Sequence, residues 1–224
     1  MSETLPRLRI TRRSGNVVVS AEPGAPLLVE GGKTRLGADG VIDVKPKRGA
    51  KLEITCPAGT DLTISTDSGN VDVRGDAGSV KVITKSGSVS IERATAVNAR
   101  GASGRVEVGA CVGECHVVFA SSNVTVGEAG RAVIATVSGN IDVDETDDAE
   151  VKTVSGNISL GARGGGTMAA RSISGSVEVS VPDGSRPLTR LKAGTGRVRC
   201  EPPPGDDGEV RIKSVSGSIS VTCR

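Results

Sequence analysis

The octet Thr136-Val137-Ser138-Gly139-Asn140-Ile141-Asp142-Val143 returns as Thr153-Val154-Ser155-Gly156-Asn157-Ile158-Ser159-Leu160 and again as Ser214-Val215-Ser216-Gly217-Ser218-Ile219-Ser220-Val221. Self-similarity at near-constant spacing constrains a fold more than composition does, because one small unit must stack on copies of itself. With the central glycine of each unit as reference, the members are Gly69, Gly87, Gly104, Ser122 in place of glycine, Gly139, Gly156, Gly175, Gly196 and Gly217. The spacing between successive members is nearly even up to Gly156 and lengthens slightly over the last three steps.

Relative to that reference, positions −7, −5, −2, +2 and +4 are mostly apolar or small: Ala132, Ile134, Val137, Ile141 and Val143 around Gly139, and Val210, Ile212, Val215, Ile219 and Val221 around Gly217. Side chains alternate along a strand, so −7 and −5 share one face, as do +2 and +4. The odd step from −5 to −2 calls for a bend or bulge there if −2 is also to point inward. Two short strands meeting at a Ser-Gly corner then form one coil. No helical stripe persists, and Val, Ile, Thr, Gly and Ser dominate, which disfavours helix.

The expected fold is all-β: a single-stranded parallel β-solenoid of about nine rungs, each about 4.8 Å from the next, with corners stacked in chain order. A β-meander or sandwich is the rival, since Ser-Gly pairs also suit hairpins. It would not require five aligned apolar positions per repeat.

Residues 1–60 do not follow the period. They read as short strands broken by Gly and Pro, among them Leu8-Arg9-Ile10, Val17-Val18-Val19 and Leu52-Glu53-Ile54. A solenoid end exposes unpaired backbone and apolar surface. The segment 1–60 is therefore expected to be an N-terminal β cap on a repeat domain spanning 61–224, an independent small β domain being the alternative.

Three details point to in-register stacking. Asn123, Asn140 and Asn157 occupy +1 in consecutive units, where amides can form a ladder along the axis. At +3, acids (Asp72, Glu107, Asp142, Glu178) alternate with Ser90, Thr125 and Ser159, which keeps like charges off adjacent strands. At −2, Asp67 and Lys85 fall one unit apart and are expected to form an ion pair.

Composition narrows the function classes. Lys plus Arg is 28 and Asp plus Glu 26, so any anion binding must come from local patterning. Phe119 is the only aromatic residue, against the stacking platforms of nucleic-acid sites and many ligand pockets. The N-terminal stretch Met1 to Arg7 has no apolar core of signal-peptide length, and no run approaches a membrane span. Five cysteines at irregular spacing suit reduced thiols. Together these give a cytoplasmic expectation.

Cys111, Cys115 and His116 form the most metal-like cluster, but nothing elsewhere completes a four-ligand set, and Cys115 and Cys200 fall in inward slots. The acidic run Asp142 to Asp148 reads as a solvated turn. No phosphate loop, dinucleotide fingerprint or nucleophile elbow occurs. No catalytic residue, metal site or cofactor is expected.

The outward face of the first strand of each unit carries more. At −4 in the last four units stand Lys152, Arg171, Lys192 and Lys213, with Arg190 and Arg211 at −6. Stacked in register they would form a row of cations. Earlier on the same face, Ile83, Val118, Val133 and Ala135 would form an apolar patch of the kind that marks contact sites.

The segment Leu52-Glu53-Ile54-Thr55-Cys56-Pro57-Ala58-Gly59-Thr60-Asp61-Leu62, followed by serial Ser-Gly-Asn/Ser-Val/Ile units, resembles the bacterial "putative adhesin" family of β-strand-repeat domains of unknown function. That resemblance implies a non-enzymatic, β-solenoid-like domain. The functional expectation is a structural or interaction protein that engages a protein partner or a second copy. The alternative is a module for an anionic polymer, nucleic acid or glycan, bound along the basic row. A carbohydrate-active β-helix enzyme is a third class, without visible acid, base or sugar-stacking groups.

Overall fold

A computed structural model of the chain describes residues 6–47 and 50–224. Every regular element among them is a β-strand, and the strands group into two compact units, Met1–Val112 and Gly113–Arg224.

In the first unit β1 (Arg7–Ser14) and β2 (Val17–Glu22) lead into β3 (Leu28–Glu30), β4 (Gly32–Leu36), β5 (Val41–Pro46) and β6 (Leu52–Pro57). Then come β7 (Asp61–Ser68), β8 (Val71–Ser86) and the first part of β9 (Val89–Ser138). Parallel, in-register pairing runs from Ile10 to Ile64, from Ile64 to Val82 and from Val82 to Ala99. The second strands pair likewise, Val19 with Val73 and Val73 with Ile91. Residues one repeat apart are thus spatial neighbours, the signature of a β-solenoid. Ser14-Gly15-Asn16 is a corner of the same stack, so the repeat geometry reaches back to β1 and β2. On their other side lie β5 and β6, with Val44 opposite Ile10 and Ile54 opposite Val19. These are flanked in turn by antiparallel β4 and β3.

The second unit holds the rest of β9, then β10 (Ile141–Ser155), β11 (Ile158–Ala162), β12 (Thr167–Ser174), β13 (Val177–Val181), β14 (Leu188–Thr195), β15 (Val198–Cys200), β16 (Glu209–Ser216) and β17 (Ile219–Cys223). Pairing is again parallel and in register: Ile134 with Val151, Val151 with Ala170, and Ala170 with Ile212. That last step corrects the expected order. The coil of Gly217 lies directly on that of Gly175, and the coil of Gly196 lies outside it, Leu191 pairing with Ile212. The two longest steps, Gly175 to Gly196 and Gly196 to Gly217, are where the chain passes over one layer and then returns to fill it.

The core is a column of aliphatic residues at −7, −5, +2 and +4. Ile134, Ile141, Val143, Val151, Ile158, Ala170, Val177, Val179, Ile212 and Val221 are all at most 1% exposed. Complete burial of one such branched side chain stabilises the stack by about 1.5–3 kcal/mol. Stacking places each over its like, and β-branched shapes suit that surface.

The inward role expected of −2 is wrong. Val137, Val154, Ile173 and Val215 are 53%, 42%, 52% and 60% exposed, while the −3 residues Thr136, Thr153, Ser172 and Ser214 are at most 6% exposed. The strand keeps its two-residue alternation through −7, −5 and −3, so no bulge is needed. The phase change happens at the glycine instead. Gly156 has φ +144°, which L-residues rarely adopt, and a Cβ there would meet the Gly139 carbonyl oxygen at 2.1 Å. The buried −3 hydroxyls tie the corner: Thr84 Oγ1 donates to Ser86 O at 3.1 Å, and Thr136 Oγ1 to Thr153 Oγ1 at 3.1 Å.

The asparagine ladder forms, but through the backbone. Asn123 Oδ1 accepts from the Asn140 N–H, Asn140 Oδ1 from Asn157 and Asn157 Oδ1 from Ser176, each at 3.0 Å. Asn16 and Asn70 do the same in the first unit, at 3.1 Å. Acid alternation at +3 holds in the paired order Thr125, Asp142, Ser159, Glu178, Ser220. The expected ion pair is present, Lys85 Nζ lying 2.8 Å from Asp67 Oδ1.

Candidate functional site

On the outward face of the second unit's first strands, the −4 residues stack as Ala135, Lys152, Arg171, Lys213 and Lys192. The four cations are brought together as expected, with Lys213 rather than Lys192 next to Arg171. Neighbouring backbones in such a stack are about 4.8 Å apart. Lys152 donates to Glu150 Oε1 at 2.6 Å. Among the described residues no carboxylate lies within salt-bridge distance of Arg171, Lys192 or Lys213. The −6 row runs Val133, Glu150, Ala169, Arg211, Arg190.

Two carboxylates offset part of this charge. Glu209 receives Arg211 Nε at 3.0 Å and lies 3.4 Å from Arg190 Nε. The Arg211 hydrogen bond holds the Glu209 carboxyl below its usual range, and the Lys152 hydrogen bond does the same for Glu150. Both carboxylates stay ionised and keep Arg190, Arg211 and Lys152 locally paired. Among the described residues, Arg171, Lys213 and Lys192 are the cations of the site with no carboxylate at salt-bridge distance, although Glu150 also acts on Arg171 through space.

Directly beside the cations runs the exposed −2 row of Val137, Val154, Ile173 and Val215. A groove of about 480 Å³ joins the two rows, lined by Lys152, Arg171, Ile173, Lys192, Lys213 and Val215. Sequence reasoning missed this apolar row because it placed those residues in the core. Two signals were available: the hydroxyl residues recurring at −3, and the charges Asp67 and Lys85 at −2, which mark that slot as wet. Of the residues expected in the apolar patch, Val118 and Val133 belong to the second unit and Ile83 to the first. Val118 is 37% exposed and Val133 half-buried in the second unit, whereas Ile83, 45% exposed, pairs with Ser65 and Arg100 in the first.

The remaining candidates sit as follows. Cys111 and Cys115 are buried and His116 is half-buried. Among the described residues no three His, Cys, Asp or Glu side chains converge as a metal-holding group. Cys200, expected inward, is exposed because β15 is the outermost strand of its unit, with no described residue paired on its other side. The acidic run Asp142 to Asp148 lies within strand β10 and is not a turn, and it is not merely solvated: Arg163 reaches Glu128, Glu145 and Asp147 at 3.3, 3.5 and 3.7 Å. No helix among the described residues is long and apolar enough to cross a membrane.

Among curated proteins none matches this chain. Two crystal structures are similar to it. One is described as a "putative adhesin" from Bacteroides fragilis, 12% identical with TM-score 0.49, covering 96% of this chain and 91% of that one. The other is described as a "putative cell adhesion protein" from Clostridium sporogenes, 14% identical with TM-score 0.20, covering 98% and 94%. A family model matches nearly the whole described chain: over residues 7–223 it belongs to the Toastrack DUF4097 family, a domain of unknown function.

Proposed function

We propose that this chain is a non-catalytic interaction domain whose contact face is the paired −4 and −2 rows of the second unit, and that its partner is a protein surface or a second copy of the chain. The observation that carries the reading is the exposed line Val137, Val154, Ile173 and Val215 beside cations that lack a carboxylate within reach. Valine and isoleucine aligned on a rigid sheet hold their rotamers before contact, so little side-chain entropy is lost on docking. The flanking cations would steer an acidic rim and set its register.

Sedimentation of the full chain across concentration and salt tests this. Concentration-dependent association that Val154→Asp with Ile173→Asp removes identifies a second copy. A chain that stays monomeric and is captured by an acidic protein only while Val154 and Ile173 are intact identifies a heterologous partner. If the double variant changes neither self-association nor capture, the apolar row is not a contact surface.

The three unpaired cations favour a second reading, in which the −4 row binds an anionic polymer. Here Lys192→Glu with Lys213→Glu abolishes salt-dependent retention on a sulfated polysaccharide matrix, while Val154→Asp leaves it intact. Unchanged retention removes the row from consideration.

A further inference from the structure

The outermost strands of the second unit are sheet edges. Among the described residues β14 pairs with β16 and β15 with β17, and neither has a strand on its other side. Their inward positions are unsealed. Val198 is 49% exposed where its neighbour Ile219 is 1%, and Cys200 is exposed where Val221 is fully buried. Leu191 is half-buried against a fully buried Ile212. The first unit treats its outer strands differently: β5 and β6 each carry an added antiparallel strand. This chain therefore uses strand addition to extend an outer coil, and β14 has a vacant side of the same kind.

The charges on that edge select what can add. Outward side chains of β14 are Arg190 and Lys192, backed in register by Arg211 and Lys213. Arg197 is exposed just beyond β14. A second copy pairing antiparallel through β14 would bring outward cation against outward cation, since pairing keeps outward residues on one face. Cationic edges of this sort resist self-pairing. An acidic strand meets the opposite situation.

We propose that β14 is a docking edge for an extended segment of a partner protein whose residues alternate acidic and apolar, added as a further strand. Its acidic side chains lie over Arg190 and Lys192, and its apolar ones cover Thr189, Leu191 and Ala193. Backbone pairing supplies attachment, and the two-residue alternation supplies selectivity. Lys192 is shared with the −4 row, but the added strand pairs with the β14 backbone and not with Val154 or Ile173, so peptide binding that survives Val154→Asp with Ile173→Asp separates this inference from the side-face reading.

The test uses the full chain and three end-blocked peptides, each matched in length to β14. One alternates glutamate and valine, one has the same composition in blocks of two, and one alternates lysine and valine. The alternating glutamate–valine peptide binds in a calorimeter and slows amide exchange over residues 188–195, and the block peptide binds at least about tenfold more weakly. Arg190→Glu with Lys192→Glu, shown folded by its circular dichroism melt, loses that peptide and gains the lysine–valine one. Equal binding of the block and alternating peptides overturns the proposal, because net charge alone would then suffice. So does protection outside 188–195, or protection of β14 by the chain's own association in the absence of peptide.

Discussion

Replacing Gly156 with alanine tests the stacked corner at its tightest point. The residue has φ +144°, and an added Cβ would sit 2.1 Å from Gly139 O and 2.7 Å from Gly139 C. Both are backbone atoms held from either side, because Gly139 N–H donates to Ser155 O and Gly156 N–H to Ser174 O, each at 3.0 Å. An ordinary van der Waals contact needs far more room than that, so at least one of these hydrogen bonds must break. Backbone strain of about 1–3 kcal/mol and a lost hydrogen bond of about 1 kcal/mol give a destabilisation of about 2–4 kcal/mol. Gly184 is the control for conformation without contact: φ is +80° and nothing lies within 4 Å of its Cβ position. Gly184→Ala costs about 1–2 kcal/mol. Gly164, also with open space and without a positive φ, accepts alanine with a gain of about 0.4–1 kcal/mol from the unfolded state. Guanidinium unfolding followed by circular dichroism ranks the three, and amide exchange at residues 139–158 localises the effect, since stacked repeats need not unfold all at once. If Gly156→Ala and Gly184→Ala agree within about 0.5 kcal/mol, the close approach of successive corners is wrong.

Thr153→Val removes a hydroxyl that accepts from Thr136 Oγ1 at 3.1 Å in a buried slot, and costs about 1 kcal/mol in urea unfolding; Val154→Thr, on the exposed side, stays within about 0.5 kcal/mol. Asn140→Ala leaves the Asn157 N–H to water and destabilises by about 0.5–1.5 kcal/mol, with faster exchange of that amide as the specific readout. The Lys85 hydrogen bond holds the Asp67 carboxyl below its ordinary 3.8, so its stabilisation is complete above that value and fades as pH falls through the lower folded one. A thermal melt series should accordingly show Lys85→Met losing part of the acid-side slope and none of the slope near neutrality. Cys200, exposed, reacts first with a thiol reagent, while Cys56, buried and with its thiol pushed up by burial, reacts last on the native chain; mass mapping after brief labelling checks the order.

The solenoid was legible because its determinants are local and repeated. A glycine that must turn the chain under another backbone, an amide that must reach the next layer, and an aliphatic pair on each side of the corner recur wherever the geometry recurs. What misleads the reading is hydrophobicity at −2. Val137, Val154, Ile173 and Val215 look like core, but Thr and Ser at −3 keep the strand in phase and bury a small hydroxyl where a corner has no room for a larger side chain. Water-facing valines in a strand satisfy β-propensity without burial, so propensity and burial carry the same letter in the sequence. The first corner, Ser14-Gly15-Asn16-Val17, carries the Ser-Gly-Asn-Val centre of the motif, with Arg12 at −3 and Arg13 at −2, yet it is set apart from the regular spacing, because the next copy, at Gly69, comes only after β3 to β6 have intervened. A period search rewards regular spacing and discounts a member set apart by an insertion.

The order of the last two coils was hidden for a different reason. The repeats around Gly196 and Gly217 offer the same kinds of residue at −5 and −4, Leu191 and Lys192 against Ile212 and Lys213, so either fits against β12. What separates them is how much apolar surface each must bury. An inner coil is covered on both sides, and the Gly217 repeat supplies Val210, Ile212, Ile219 and Val221 for that place. The Gly196 repeat offers Thr189 and Cys200 at the equivalent ends, which tolerate the wetter outer layer. Placing β16 inside also makes Thr167 pair with Glu209 across the whole of β13 to β15, a more distant contact than stacking in chain order would need. Such closure is entropically slower to reach, yet it leaves β16 and β17 with a neighbour on each side. The first unit repeats the arrangement, β1 lying between β5 and β7 and β2 between β6 and β8. In both units the outermost coil is thus made by an interior loop of chain, so the strands reached last in one unit and first in the other are clamped on both sides rather than left to fray.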